Sequence, residues 1–207
     1  KLMPQAASGF LMDDELKYLG LALASPERPF VAVLGGAKVS DKIEVIENFL
    51  GRVDALLIGG AMAYTFFKAK GLPTGKSLVE DDKLDAARGV MAKAVEKGVR
   101  LELPVDHVVA EKIEAGVATA VLGVEDAAIG ERMGLDIGPK TAATYAEIIG
   151  GAKTVVWNGP MGVFETSPFD AGTTAVAQAV AGVKGTTIIG GGDSVSAVAK
   201  AGVTDRI

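Results

Sequence analysis

The sequence of 207 residues contains no cysteine, one histidine, no clustered run of lysine and arginine, and no long apolar stretch. Without cysteine there is no disulfide, thiolate zinc site or cysteine nucleophile, and a reducing compartment is permitted. A single histidine cannot build a histidine-rich metal site. The net charge of −5, without a basic cluster, argues against nucleic acid and anionic membranes as partners. No apolar run approaches the roughly 18 residues that a membrane-spanning helix needs.

The chain begins Lys1-Leu2-Met3-Pro4, which is neither an initiator methionine nor a signal peptide. We therefore expect the sequence to be part of a longer protein. Hydrophobic residues make up 49% of it, which is enough for a substantial core. Because no linker-like stretch divides the sequence, we expect a single domain.

Glycine, in contrast, is abundant, with 27 residues, and it follows four short apolar runs. Such runs, with helical patterns between them, are typical of buried strands in a parallel sheet. Glycine at a strand end lets a ligand approach the backbone because no Cβ intervenes, and the ligand crevice of open α/β sheets lies at those ends. The segments, which together predict one nucleotide or phosphate site, are Val31–Gly36, Ala55–Gly60, Val155–Gly159 and Thr187–Gly192.

The alternation of strands and helices predicts an α/β fold, with a doubly wound, Rossmann-like, mostly parallel sheet and helices on both faces in three α/β/α layers. The predicted helices are Asp13–Ala24, Ser40–Leu50, Met62–Lys70, Asp81–Lys97, Lys140–Ile149, Ala171–Ala181 and Asp193–Ala201. The predicted strands are Phe30–Leu34, Asp54–Ile58, Val99–Leu103, Val105–Ala110, Thr154–Trp157 and Thr186–Ile189, with Ala118–Val121 as a weaker candidate.

Two lysines follow the first predicted strand. Lys38 and Lys42 are four residues apart, a spacing that places two side chains on one helical face, leaning toward the amino end of the helix. Together with the amides of Gly35 and Gly36, their ammonium groups could grip neighbouring phosphates. The alternative is two surface lysines without a ligand. Their position directly after the glycine pair favours phosphate binding.

A second glycine segment, Gly190-Gly191-Gly192-Asp193-Ser194, also joins a predicted strand to a helix. Successive glycine amides at the amino end of a helix form a site for anions. Asp193 suits two roles, as the N-cap of the helix and as a hard oxygen ligand for Mg²⁺. The two roles are compatible.

A turn over Trp157–Glu165 places the amide of Asn158 and the carboxylate of Glu165 on either side of apolar residues. Such a segment could line an adenine slot while Glu165 accepts hydrogen bonds from ribose hydroxyls. An ordinary stiff loop with an exposed acid explains the segment equally well.

Other familiar motifs fail. Gly71–Ser77 resembles a Walker A loop, but it has one residue too few between its glycines and follows a predicted helix. No G-x-G-x-x-G opens the first strand–helix unit, which disfavours a NAD-dependent oxidoreductase. Gly192–Ser196 resembles a hydrolase nucleophile turn, yet Ser194 would need His107 as its base. We expect His107 on the surface, facing the opposite way from Asp106.

Taken together, the motifs strongly resemble the phosphoglycerate kinase family, in the same order and over essentially the whole chain. The match corresponds to the C-terminal, nucleotide-binding domain of that two-domain enzyme. On this resemblance, residues 1–12 enter from the interdomain hinge and residues 13–207 form the nucleotide-binding domain. The segments that carry the resemblance are Val33–Lys42, Ile58–Met62, Met133–Pro139, Trp157–Glu165 and Gly190–Ser194.

The resemblance implies a cytoplasmic glycolytic enzyme that transfers the acyl phosphate of 1,3-bisphosphoglycerate to Mg-ADP, giving 3-phosphoglycerate and ATP. Such transfer relies on positioning and charge stabilisation, without a covalent nucleophile. Lys38 and Gly192 would be catalytic, and Asp193 would bind Mg²⁺. The resemblance implies that ADP or ATP is held by Gly35, Gly36, Ala37, Lys42, Gly59, Gly60, Gly134, Leu135, Asn158, Pro160, Val163, Glu165, Gly190, Gly191, Gly192, Asp193 and Ser194.

The sequence also departs from the family pattern. The family's N-terminal domain, with its phosphoglycerate site, and its final glycine-rich phosphate loop are absent from these 207 residues. We therefore expect the chain to bind nucleotide, to be inactive alone, and to be a monomer as the resemblance implies. The competing hypothesis is a nucleotide-binding module without turnover.

Overall fold

The computed structural model describes residues 25–207, so the expected hinge segment 1–12 and the predicted helix Asp13–Ala24 lie outside the described residues. Within residues 25–207, no helix is both long and apolar enough to cross a bilayer. The strands are β1 Phe30–Leu34, β2 Ala55–Ile58, β3 Arg100–Glu102, β4 Asp106–Ala110, β5 Ala120–Gly123, β6 Met133–Ile137, β7 Thr154–Asn158 and β8 Thr186–Gly190. The helices are α1 Ile43–Phe49, α2 Ala63–Ala69, α3 Leu84–Glu96, α4 Pro139–Gly150, α5 Ala171–Ala181 and α6 Gly192–Lys200, with 3-10 turns at Asp81–Lys83, Ala127–Ile129 and Thr204–Arg206.

Five strands form a parallel sheet in the order β3-β2-β1-β7-β8. β1 and β2 are buried along their whole length, as their continuous apolar runs predict. Leu34 is in register with Ile58 on one side and with Asn158 on the other. The carboxyl ends of these three strands therefore lie at one edge of the sheet.

Helices cover both faces of this sheet, because successive residues of a strand point to opposite sides. Ala32 and Leu34 pack in a core with residues of α1, α2 and α3. Val31 and Val33 pack in a second core with residues of α4, α5 and α6. The arrangement confirms the predicted three-layer α/β/α fold.

The order of the strands reverses between β1 and β7. The chain runs outward from β1 through β2 to β3 and later adds β7 and β8 on the other side of β1. In open α/β sheets, such a switch point separates the loops above the carboxyl ends and leaves a crevice for ligands. Both predicted lysines follow β1, and Asn158 ends β7, so the predicted site residues flank this crevice.

A second, antiparallel sheet has the order β5-β4-β6. Its strand β6 was not predicted as a strand, because Gly134 and Asp136 interrupt the apolar residues of Met133–Ile137. The weaker candidate at Ala118–Val121 corresponds to β5, which begins two residues later. The sequence pattern did not separate this sheet from the parallel one.

Two of the helices that begin elsewhere than predicted, α1 and α6, adjoin predicted site residues. α1 begins at Ile43 rather than Ser40, so Lys38 and Lys42 precede the helix and do not share a helical face. α6 begins at Gly192, and its N-cap is Gly191 with φ of 86°, a left-handed conformation that favours glycine. Asp193 therefore lies in the first turn and is not the N-cap.

Candidate functional site

The loops that follow β1, β2 and β7 are joined by backbone hydrogen bonds. The N–H of Gly35 donates to the carbonyl oxygen of Asn158 at 3.0 Å. The N–H of Gly60 donates to the carbonyl oxygen of Met161, also at 3.0 Å. Three segments that are distant in sequence thus form one continuous rim at the switch point.

Two strand-terminal glycines are packed against the protein itself. A Cβ on Gly35 would lie 2.1 Å from the carbonyl oxygen of Pro160, and one on Gly59 would lie 2.3 Å from Sδ of Met161. These positions need glycine so that the loops can approach one another. Access for a ligand, the reason predicted from the sequence, does not explain the glycine at Gly35 or Gly59.

A cavity of about 350 Å³ opens beside this rim. Its walls come from the loops after β1, β2 and β7, from α2, and from β4 and β6. Lining by apolar side chains with a few polar groups is typical of small-molecule pockets. The predicted nucleotide-binding residues that line it are Gly36, Ala37, Gly60, Gly134, Leu135, Pro160, Val163, Glu165 and Asp193.

Sequence reasoning missed a large part of the cavity wall. Leu78 and Ile113 are apolar side chains about half exposed at the cavity, and no motif marks either of them. Long-range packing brings the missed side chains to one place, which local patterns do not reveal. The main ones are Tyr64, Phe67, Ser77, Leu78, His107 and Ile113.

The prediction that His107 lies on the surface is wrong. The residue is 1% exposed, and its Nδ1 shares a hydrogen bond of 2.8 Å with the hydroxyl of Tyr64. Burial lowers the pKa of His107 to about 4, against the opposing attraction of Asp106, so the ring is neutral at pH 7. Among the described residues its Nε2 has no hydrogen-bond partner. Its hydrogen bond to Tyr64 gives no support to a hydrolase in which His107 would be the base for Ser194.

Burial also shifts the pKa of two further titratable groups at the cavity toward their neutral forms. Burial raises the pKa of the Tyr64 hydroxyl above its usual range. Burial likewise raises the pKa of Asp136 to about 7, although its carboxylate accepts hydrogen bonds from the N–H groups of Gly172 at 2.7 Å and Ile137 at 2.9 Å. The cavity wall around Tyr64, His107 and Asp136 therefore favours the neutral forms of its polar groups, whereas the carboxylates of Glu165 and Asp193 also line the cavity.

Charged groups gather beyond the rim, beside the carboxyl ends of β7 and β8. The ammonium of Lys42 donates to Oδ1 of Asn158. Burial lowers the pKa of Lys42, while Asp41 and Asp193 oppose that shift, so Asp193 is close enough to act on it. A Cβ on Gly190 would lie 3.0 Å from Nδ2 of Asn158, which places the glycine turn against the same side chain.

The side chains of two predicted residues in this region make no hydrogen bond or ion pair to another described residue. Lys38 is exposed, and its ammonium is available to a ligand. Asp193 is also exposed and carries a hard oxygen donor in the first turn of α6. No cluster of three or more carboxylate or imidazole groups within residues 25–207 could hold a metal. Asp193 can therefore hold Mg²⁺ only if phosphate oxygens or waters complete the coordination, which Mg²⁺ commonly accepts.

Ser194 was predicted to help hold the nucleotide, but its side chain bonds to the protein itself. Its hydroxyl is fully buried and accepts a hydrogen bond from the N–H of Gly159 at 2.6 Å. The side chain thus ties α6 to the loop after β7. The N–H of Ser194 lies in the first turn of α6, where it has no partner within the helix.

The comparisons with known proteins agree with this architecture. A sequence model of the phosphoglycerate kinase family matches residues 1–207. The chain belongs to the phosphoglycerate kinase family. Similar relatives include the phosphoglycerate kinases of Solibacter usitatus, 60% identical over 207 residues, and Clostridium novyi, 59% identical over 204 residues. The chain spans about half the length of these curated relatives, 51% in each case.

Solved structures of the family show the same fold. Phosphoglycerate kinase from Coxiella burnetii is 46% identical, with a TM-score of 0.91 over 95% of this chain and 50% of its own length. The enzyme from Pyrococcus horikoshii is 33% identical, with a TM-score of 0.73 over 94% of this chain and 49% of its own length. The whole described architecture thus corresponds to half of a larger family member.

Proposed function

We propose that this chain is the nucleotide-binding half of a phosphoglycerate kinase and that one Mg-ADP or Mg-ATP lies across the switch point. The observation that carries the proposal is that two surfaces of different character adjoin at the switch point. A largely apolar cavity lined by Gly36, Leu135 and Val163 opens on one side, and Lys42 lies on the other. Asp193 both lines the cavity and acts on Lys42, so it lies where the two surfaces meet. A purine base suits the first surface, and a diphosphate suits the second.

The phosphates would lie at the amino end of α6. The N–H groups of the first turn have no partner within the helix and carry a partial positive charge. Lys42 would hold a nucleotide phosphate, and Lys38 would contact the phosphoryl group in transfer. Gly192 has open space where a side chain would lie, so a phosphate can approach its backbone. Glu165, at the cavity and exposed, would accept hydrogen bonds from the ribose.

A magnesium ion fits the donor set in one way. Asp193 supplies one carboxylate, and phosphate oxygens with waters would supply the rest. When bound, the ion neutralises charge on the phosphates. The lysines and backbone amides of this chain would orient the nucleotide.

In the complete enzyme, a β-phosphate oxygen of ADP would attack the phosphorus of the acyl phosphate of 1,3-bisphosphoglycerate. The bond from that phosphorus to the acyl oxygen breaks, giving ATP and the carboxylate of 3-phosphoglycerate. We propose that a second domain binds the phosphoglycerate, because the chain spans about half of its relatives. The chain alone would then bind nucleotide without turnover. We further propose a cytoplasmic, monomeric enzyme that binds neither nucleic acid nor membrane.

Calorimetric titration tests this function. We expect Mg-ADP to bind with one site, and NAD and 3-phosphoglycerate to bind far more weakly or not at all. Binding of 3-phosphoglycerate comparable to that of Mg-ADP would contradict the division of roles between two halves. Binding of NAD in preference to Mg-ADP would favour an oxidoreductase.

A nucleotide-binding module without turnover is the second candidate, and the half-length match favours keeping it. The two candidates differ in the coding sequence upstream of Lys1. An arginine-rich α/β domain there supports the kinase. A frame that lacks such a domain supports the module.

A further inference from the structure

A carboxylate from a distant loop holds the segment that carries both lysines. Oε2 of Glu80 accepts a hydrogen bond from the N–H of Ser40 at 3.0 Å, and Oε1 accepts one from the Ser40 hydroxyl at 2.6 Å. Ser40 is midway between Lys38 and Lys42 in sequence. The two oxygens of one carboxylate therefore fix both the backbone and the side chain at the centre of this segment.

The lysine segment depends on such a contact because α1 does not extend into it. Lys38 and Ser40 precede the helix and so lack its ladder of hydrogen bonds. Val39 anchors the segment with a fully buried side chain, and its carbonyl oxygen accepts from the N–H of Lys42 at 2.9 Å. These contacts fix the segment on its buried side, while Glu80 fixes it on the exposed side.

Glu80 is itself held in place. Its N–H donates to the hydroxyl of Thr65 in α2 at 3.1 Å. Three residues earlier, the hydroxyl of Ser77 accepts from the N–H of Gly134 at 2.9 Å, beside the cavity. The loop over residues 77–80 is thus tied to the protein at both ends without a ligand.

The carboxylate is charged at neutral pH. Burial raises the pKa of Glu80, but hydrogen bonds from Ser40 and from the backbone of Val39 outweigh that effect and hold the pKa below its usual value. Hydrogen bonds to an ionised acceptor are stronger than those between neutral groups. The contact therefore has the strength to hold a segment that lacks regular structure.

We propose that Glu80 is a positioning residue for phosphate binding, because its grip on Ser40 determines where Lys38 and Lys42 present their ammonium groups. The inference rests on the proposed nucleotide site. It adds to that site a residue that touches no part of the nucleotide.

The decisive variant is Glu80→Gln, which keeps the size of the side chain but loses the charge and one accepting oxygen. Mg-ADP affinity, measured by calorimetry, is expected to fall about fivefold to tenfold, because displaced charged groups lose much of their effect. Adenosine lacks phosphates, so it makes none of the contacts that the lysines would lose. Its affinity for the variant and for the wild type is expected to agree within about twofold in an NMR titration. Glu96→Gln, on the exposed face of α3, is the matched control.

A second variant guards against misfolding. Ser40→Ala removes only one of the two hydrogen bonds, so its loss of Mg-ADP affinity should have the same direction and a smaller size. In a Lys42→Ala background, Glu80→Gln should have little further effect, because residues that act through one another are not additive.

The outcomes separate this inference from the proposed function. Wild-type protein that binds no Mg-ADP would overturn both. Wild-type binding with unchanged affinity in Glu80→Gln would overturn the inference alone. Equal weakening of Mg-ADP and adenosine would also overturn it, because Glu80 would then support the cavity rather than the lysines.

Discussion

The two ends of the candidate site differ in how they treat charge. At the cavity end, His107 and Asp136 are almost fully buried, and burial moves the pKa of each toward the neutral form. At the phosphate end, the side chains of Lys38 and Asp193 are exposed and make no hydrogen bond or ion pair to another described residue. Neutral groups at the cavity affect folding stability, whereas exposed charges at the other end remain available to a ligand. The comparison predicts that variants of the two ends change different measured quantities.

Lys38→Ala should have the largest effect, and it should be on catalysis. In the enzyme with both domains, we expect kcat to fall by about 10²–10³, which corresponds to about 3–4 kcal/mol of lost transition-state stabilisation. Nucleotide affinity should change much less, because Lys38 would contact the phosphoryl group in transfer. Steady-state kinetics with Lys184→Ala, an exposed lysine before β8, as the control will check this. An unchanged kcat would remove Lys38 from the mechanism.

Asp136→Asn should alter the pH dependence of stability. The folded protein keeps this carboxyl group protonated up to about pH 7, whereas the unfolded chain releases the proton near its ordinary pKa. The contribution of Asp136 to stability therefore falls as the pH rises from about 4 to about 7, by about 2–4 kcal/mol. Denaturant unfolding of the variant across this range should lack that fall. A variant whose stability follows the wild-type pH dependence would place the titration elsewhere.

His107→Phe should change the same dependence in the opposite direction. The folded protein leaves the imidazole neutral down to about pH 4, while the unfolded chain binds a proton below about 6.5. Stability from this group is thus lost as the pH falls from about 6.5 to about 4, by about 1–3 kcal/mol. Because the Asp136 and His107 effects oppose each other, the wild type should show a shallow dependence there. Removing His107 should expose the Asp136 slope, and a curve parallel to that of the wild type would contradict the assignment.

Asp193→Ala should have the smallest effect of these four substitutions. It should change ligand binding and leave folding stability unchanged. We expect the Mg²⁺ dependence of ADP affinity, of about tenfold or 1.4 kcal/mol, to disappear. The thermal midpoint of the ligand-free protein should stay unchanged, because the side chain is exposed. Calorimetric titration with and without Mg²⁺, with Asp205→Ala as the control, will measure this. Dependence on Mg²⁺ that survives the substitution would place the metal ligand in another residue.

The parallel sheet was predictable because its strands carry their own signal. β1 matches its predicted bounds, and β2, β7 and β8 differ from theirs by one residue at one end, since each is a continuous apolar run. β6 has no such run and was missed. The burial of His107 and its neighbour Asp106 was also unpredictable. Asp106 accepts from the N–H of Thr141 at the start of α4, and His107 bonds to Tyr64, so both depend on partners 34 or more residues away.

The candidate site divides in the same way. Motifs at strand ends identified residues on both sides of the switch point, including Lys42, Asn158 and Asp193. They gave the wrong local geometry for the lysines, because α1 begins only at Ile43 and the segment before it is held by Glu80 and the buried Val39. Leu78 and Ile113 belong to loops with no motif, and only the folded arrangement reveals them.

A crystal structure of the protein with Mg-ADP tests most directly whether one nucleotide spans both ends. We expect the adenine base in the cavity beside Val163 and Leu135, and the phosphates at Lys42 and the first turn of α6. A nucleotide bound away from the switch point, or one that leaves the cavity empty while its phosphates contact α6, would contradict the account.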